Sequence, residues 1–222
     1  MKVAIDGPCG VGKSTLAKAV AEKFDLLYLD TGAMYRAIAY FFLKNNLDYA
    51  YENKLELDKI RIDLSSSDRN QIIIYLNGQN VSEFIRNKKI SGVAACIAKY
   101  KSVRDKLNLL QKKIALEKKN IVMDGRDIAL NIMPDADFKF YLDANLTVRT
   151  ERRMRDLNLN LKNKIAFKEV YNKMLERDHN DLTREHSPLK RVEDAILIDT
   201  SYMTFEEAKN KVFDIINQSV KK

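Results

Sequence analysis

Eight residues near the N-terminus, Gly7-Pro8-Cys9-Gly10-Val11-Gly12-Lys13-Ser14, leave few folds open to this chain. They form a complete Gly-x-x-x-x-Gly-Lys-Ser run between two segments of different period. Before it, Lys2 to Ile5 is a short apolar strand, and after it Lys13 to Phe24 repeats Leu16, Ala17, Val20, Ala21 and Phe24 at helical spacing. A strand that turns through glycines into a helix points its loop N–H groups inward as an anion nest, to which the helix adds its positive end. In such a loop Lys13 reaches the β- and γ-phosphates of a nucleoside triphosphate and the Ser14 hydroxyl ligates Mg²⁺. Gly7, Pro8, Cys9, Gly10, Val11, Gly12, Lys13, Ser14 and Thr15 are therefore the expected ATP-binding residues, with Cys9 as a small space-filling side chain.

The same rhythm continues. Leu26 to Leu29 reads as a buried strand, about Ala33 to Leu43 as a helix, and Ile121 to Asp124 and Phe138 to Leu142 as further strands. Two charged helices follow, about Asn145 to Leu157 and Ile165 to Asp181, then a strand at Ala195 to Ile198 and a helix from Thr204 to about Gln218. Strand and helix in alternation mean an α/β fold, a P-loop parallel sheet flanked by helices. Between about Ile60 and Arg86 the pattern changes. Ile60 to Leu64 alternates, Ser65 to Asn70 is a polar turn, Gln71 to Leu76 is β-branched, and Asn77-Gly78 turns the chain back through Gln79 to Val81, which predicts a small antiparallel β insertion. Helical patterning returns from about Gly92 to Lys118.

Composition narrows the class further. The 222 residues carry 39 Lys and Arg against 31 Asp and Glu, a net +8, which suits an anionic ligand but equally a lysine-rich surface. No apolar run reaches the roughly 20 residues of a membrane span, and Asp6 arrives too early for a signal-peptide core. Cys9 and Cys96 are too few and too far apart for a disulfide scaffold, so a cytoplasmic, reducing setting is expected. His179 and His186, without a third ligand nearby, read as solvated side chains.

Among P-loop proteins, a GTPase needs Asn-Lys-x-Asp and Asp-x-x-Gly segments, and neither occurs. What does occur is arginine just past strand ends. Tyr35 and Arg36 follow the second strand, and Asp124-Gly125-Arg126-Asp127 closes the third, with Asp124 placed as a Walker B carboxylate. Arg177, Asp181 and Arg184 are spaced to share one helix face. Arg149, Arg152, Arg153 and Arg155 crowd another helix, where surface ion pairs compete with a functional reading. Phosphoryl transfer to a second phosphate needs this kind of set. The acceptor oxygen is already ionised, so fixed cations that bring two polyanions together replace a general base. A nucleic-acid-binding P-loop ATPase is the reading of another class, prompted by the charge, but no nucleic-acid motif is visible. A non-catalytic ATP sensor would more naturally lack Lys13 or Arg126.

Over nearly its whole length the chain resembles the bacterial-type cytidylate kinases. The resemblance rests on Ile5-Asp6-Gly7-Pro8 with the loop, Asp30-Thr31-Gly32-Ala33-Met34-Tyr35-Arg36, Asp124-Gly125-Arg126-Asp127, Pro134-Asp135-Ala136-Asp137, and Glu176-Arg177-Asp178 with Asp181, Arg184 and Pro188-Leu189. It implies transfer of the γ-phosphoryl of ATP to CMP or dCMP, in a monomer that uses Mg²⁺ and no nucleic acid or membrane. It also implies a core of about 1–59, 87–148 and 183–222, a monophosphate-binding insertion of about 60–86, and a helical lid of about 149–182. On the same ground Lys13, Arg126, Arg177 and Arg184 are the expected catalytic set. Thr31, Tyr35, Arg36, Arg104, Arg126, Asp127, Arg177, Asp181 and Arg184 are the acceptor contacts, with Arg104 and Asp127 reading the base. Asp30 or Asp124 would support the Ser14-bound metal through water. Ala95 stands where the family usually has a serine that helps read cytosine, Lys101 where it has proline, and Ile128-Ala129-Leu130 where it continues Ile/Met-Gly-Thr. A kinase for UMP, AMP or dTMP is the nearest alternative.

Overall fold

The computed structural model describes residues 1–50, 54–66 and 72–220. The first half of the chain runs β1 (Lys2–Asp6), α1 (Lys13–Phe24), β2 (Leu27–Asp30), α2 (Thr31–Lys44), α3 (Lys54–Asp58), β3 (Ile62–Ser66), β4 (Ile72–Leu76) and β5 (Gln79–Asn80). The second runs α4 (Lys88–Ile97), α5 (Lys101–Glu117), β6 (Ile121–Gly125), a π-helical turn (Ile128–Ile132), β7 (Phe138–Asp143), α6 (Leu146–Asp156), α7 (Lys164–Thr183), β8 (Ile196–Asp199) and α8 (Phe205–Val220).

Five strands form one sheet in the order β2-β6-β1-β7-β8, every neighbouring pair parallel. Alternate residues of the strands enter two separate cores. Val3, Ile5, Tyr28 and Val122 face α1 and α8 with Leu16, Val20, Val212 and Ile216, while Ala4, Leu29, Ile121 and Met123 face α2, α4 and α5. Burial on both faces is why these strands are continuous apolar runs. Each large aliphatic side chain so enclosed contributes about 1.5–3 kcal/mol. The chain leaves β1 towards β2 on one side and reaches β7 on the other, so β1 is the topological switch point, the place where open α/β sheets bind ligands.

The insertion is a three-stranded antiparallel sheet in the order β3-β4-β5. Its tight turn is the expected Asn77-Gly78, with φ of 48° and 81°. Two positive φ values match the twist of the flanking strands. Asn77 also ties the sheet down: its Oδ1 accepts from the Arg61 N–H at 2.6 Å and its Nδ2 donates to the Lys59 carbonyl at 3.1 Å.

Several boundaries differ from the sequence reading. The helical pattern over about Gly92 to Lys118 divides into two helices, because Tyr100 takes an extended conformation and starts α5, while Asn87 caps α4 by accepting from the Ile90 N–H at 2.9 Å. Neither proline nor glycine marks that break. The Tyr100 hydroxyl donates to the Tyr49 and Ala50 carbonyls, a tertiary contact with no local signal. The first strand of the insertion starts at Ile62, because Ile60 turns out of α3 (Ile60 N–H to Leu57 carbonyl, 3.1 Å). Ser65 and Ser66 extend it opposite Ile73 and Ile72, and the rest of the expected polar turn lies outside the described residues. Helix α3 and the π-helical turn have no counterpart in the sequence reading.

Candidate active site

Gly7 follows β1 with φ of 150°, and a Cβ there would stand 2.1 Å from the Leu142 carbonyl oxygen of β7, so only glycine fits. The loop ends at Gly12, φ 96°, the N-cap of α1, and no side chain caps that helix. Its first N–H groups are left for an anion. Lys13 is buried and donates to the Pro8 carbonyl at 2.7 Å. Burial, and then Arg126, push its ammonium down to about 7, against Asp124 and Cys9. Burial also pushes the Cys9 thiol up, yet Arg177, Arg126 and Lys13 outweigh it and hold the thiol below its ordinary value.

Across the loop stands Asp124 at the end of β6. Its Oδ2 accepts from the Ser14 hydroxyl at 2.8 Å, its Oδ1 from the Tyr28 hydroxyl at 2.8 Å, and its backbone carbonyl from the Thr31 hydroxyl at 2.7 Å. Burial first and Asp30 second raise the Asp124 carboxyl to about 6. Ser14, Asp124 and the neighbouring Asp30 offer hard oxygen donors and two carboxylates that oppose each other's charge, a set that fits Mg²⁺. Among the described residues no group of three or more His, Cys, Asp or Glu forms a metal site of its own.

Arg36, Arg104, Arg126 and Arg184 are each held by a carboxylate. Arg36 pairs with Asp30 at 2.7 Å, and Asp30 also caps α2 by accepting from the Ala33 N–H at 3.1 Å. Arg126 donates to one oxygen of Asp181 at 2.7 Å and Arg184 to the other at 2.9 Å. Burial works against the Asp181 charge, but Arg126, Arg184 and Arg177 hold its carboxyl below the usual range. Arg104, 2% exposed, donates to the Tyr35 hydroxyl at 2.8 Å and the His186 carbonyl at 3.0 Å, and lies 3.6 Å from Asp127. Burial and Arg104 lower Arg184 to about 10, and its Nη2 is buried with no hydrogen-bond partner. Arg177 has no ion pair within 4.0 Å among the described residues. Arginines fixed by aspartates need no ordering when a phosphate arrives.

These groups line one cavity of about 370 Å³, with seven cations (Lys13, Arg36, Arg104, Arg126, Arg153, Arg177, Arg184) and five carboxylates (Asp30, Asp124, Asp127, Asp156, Asp181) on its walls. Cys9, Gly10, Gly12, Ser14, Thr15, Thr31 and Tyr35 line it as well, so most of the residues named from sequence converge here. Gly7, Pro8 and Val11 are buried behind it. Ala95 also lines the cavity, with no side-chain hydroxyl to offer. A second cleft of about 470 Å³ opens beside it towards the small sheet, sharing Ser14, Asp30, Arg36, Ser91 and Arg153.

Two placements differ from expectation. Arg184 is not on the helix face of Arg177 and Asp181, since α7 ends at Thr183 and Arg184 turns back in extended conformation to reach Asp181. The arginines of α6 divide. Arg152 bonds the Thr200 hydroxyl and carbonyl, Arg155 pairs with Glu151 at the surface, Arg149 is buried, and Arg153 alone lines the cavity. The sequence reading missed Tyr28 and Asp6. Tyr28 has no signal beyond a strand position, whereas Asp6 belongs to the Ile5-Asp6-Gly7-Pro8 motif.

A parallel sheet with a lysine-bearing glycine loop at its switch point, facing arginines and an oxygen-donor set, defines a P-loop phosphotransferase. The family model for cytidylate kinase matches residues 3–218, and the chain belongs to that family. It is 44% identical over 220 residues to the cytidylate kinase of Carboxydothermus hydrogenoformans, covering 98% of each chain. It is 40% identical over 222 residues to that of Listeria welshimeri, covering 98% of this chain and 96% of the relative. An uncharacterized protein from Eubacterium ventriosum shares the fold, with TM-score 0.54, 14% identity and 98% of each chain covered. No helix among the described residues is long and apolar enough to cross a membrane.

Proposed function

We propose that this chain transfers the γ-phosphoryl of ATP to CMP or dCMP, giving ADP and CDP or dCDP. The observation that carries the reading is the convergence, on one cavity, of the Lys13 loop with Arg36, Arg126, Arg177 and Arg184. Membership of the cytidylate kinase family supports the choice of acceptor.

In this reading Gly7 to Thr15 cradle the donor triphosphate, and Lys13 exchanges the Pro8 carbonyl for phosphate oxygens. Ser14, with Asp30 or Asp124 in support through water, would hold Mg²⁺, which would neutralise charge on the donor phosphates. Arg36 and Arg126 orient the acceptor phosphate, Arg177 and Arg184 neutralise charge on the transferring group, and Thr31 and Asp181 fix this side of the acceptor. Tyr35, Arg104 and Asp127 form the base pocket. Because Arg104 and Asp127 are buried and already in mutual contact, base recognition rests on a prebuilt pair rather than on a serine hydroxyl at position 95. Residues of about 60–86 form the monophosphate-binding insertion on a core of about 1–59, 87–148 and 183–222. The helical lid spans about 149–182, and its closure excludes water and so suppresses wasteful hydrolysis.

The test is ADP release with Mg-ATP and a panel of CMP, dCMP, UMP, AMP and dTMP. Preference for CMP and dCMP is expected, and comparable rates with UMP or AMP would overturn the base-pocket assignment. Arg126→Ala should fold normally and lose turnover by about a hundredfold or more. A near-normal rate would remove Arg126 from the mechanism.

A further inference from the structure

Arg149 and Asp178 take no part in the roles above, yet they are 6% and 7% exposed. Burying two charges is unfavourable unless each is paired and hydrogen-bonded, and here both are. Arg149 Nη1 donates to Asp178 Oδ2, and the remaining bonds leave the pair for the phosphate loop and the end of β7. Asp178 Oδ1 accepts from the Cys9 N–H at 3.2 Å. Arg149 Nη1 donates to the Cys9 carbonyl at 3.0 Å and Nε to the Ala144 carbonyl at 2.8 Å.

These bonds fix two successive peptide planes. In a trans peptide the C=O and the following N–H point in opposite directions, and there is no cis bond among the described residues. With the Cys9 N–H turned to Asp178, the Pro8 carbonyl points the other way, where it accepts from Lys13. With the Cys9 carbonyl turned to Arg149, the Gly10 N–H points away from α6, and Gly10 lines the cavity. A salt bridge that merely joined α6 to α7 would have no reason to hold both ends of Cys9.

We propose that the Arg149–Asp178 pair is a positioning device for the donor loop, setting the Pro8–Cys9 and Cys9–Gly10 peptides so that affinity for ATP depends on it while affinity for the acceptor does not. It rests on the reading of this loop as the donor site. The pair is neutral as a unit, so it orders the loop without adding a repulsive charge beside the triphosphate. The two residues are therefore not equivalent. Losing the arginine leaves a buried carboxylate next to the donor phosphates, whereas Asp178→Asn keeps an acceptor for the Cys9 N–H.

The experiment is calorimetric binding of Mg-ATP without acceptor, alongside the KM for CMP and kcat at saturation. Arg149→Met should weaken ATP binding by about tenfold or more and Asp178→Asn by less. The double variant should bind ATP better than Arg149→Met alone, because no lone carboxylate is left. KM for CMP should stay within about twofold throughout. If Arg149→Met does not fold, Asp178→Asn and the double variant decide. Unchanged ATP affinity in folded variants, with only a lower melting temperature, would reduce the pair to a structural salt bridge, and a parallel loss of CMP affinity would overturn it too. A wild-type protein that binds no ATP would instead sink the donor reading beneath it.

Discussion

Asp6 shows how one carboxylate links the loop to the arginine-bearing segment. It ends β1, is 2% exposed, and accepts from the Ile128 N–H at 2.9 Å and the Ala129 N–H at 2.8 Å, at the start of the π-helical turn that follows Arg126 and Asp127. Burial raises its carboxyl to about 7, against those two N–H groups and Lys13. The folded protein thus keeps a proton that the unfolded chain loses near 3.8, so this group's contribution to stability falls as pH rises from about 4 to about 7 and is flat beyond. Urea unfolding from about pH 5 to pH 8 should show that slope, and Asp6→Asn should lose that part of it whatever its offset; parallel slopes would contradict the assignment. The neighbouring Gly7→Ala meets the Leu142 carbonyl directly, and backbone strain alone costs about 1–3 kcal/mol. Its denaturation midpoint should fall accordingly, or the chain should not fold at all.

At the scale of elements, patterning worked where burial follows period. α1 begins at Lys13 and ends at Phe24 as its apolar spacing requires, and each parallel strand lies within one or two residues of its apolar run. It failed where a tertiary contact overrides local preference, as at Tyr100, or where an element is as short as α3. The hairpin turn was legible because Asn-Gly specifies a backbone conformation and not merely a surface position. Asn77→Ala places a Cβ-bearing residue without a side-chain amide at φ 48°, which costs about 1–2 kcal/mol in left-handed backbone, besides two lost hydrogen bonds. Hydrogen exchange should quicken at the amides of β3 to β5 while those of β1 and β6 keep their protection, because the two sheets are separate.

For the molecule as a whole, the +8 charge is a weaker guide than its distribution. The cavity walls set seven cations against five carboxylates, and aspartates hold Arg36, Arg104, Arg126 and Arg184 in place before any nucleotide binds. Ligand binding should stabilise the native state by mass action. Mg-ATP at about a hundred times its Kd should add about 2.7 kcal/mol, raising the melting temperature by about 5–10 °C for a chain of this size. Cytidine, which lacks the phosphate those arginines face, should shift it far less than CMP does at equal concentration. Equal shifts would mean that the cations do not carry the binding.

By itself the sequence determined the sheet's class, the phosphate loop and the residues that meet there, because these follow from local periodicity and from a motif whose glycines admit one backbone path. The tertiary structure alone decided how the charges are paired: Asp181 shared between Arg126 and Arg184, Asp124 bonded to Ser14 and Tyr28, and Asp178 holding Cys9 with Arg149. Those partners stand three to 169 residues apart in the chain, most of them more than 50, and no period or motif encodes which carboxylate a given arginine will find. That pairing follows from the order of the strands and the path of α6 and α7 over the loop, which exist only once the cores on both faces of the sheet are packed.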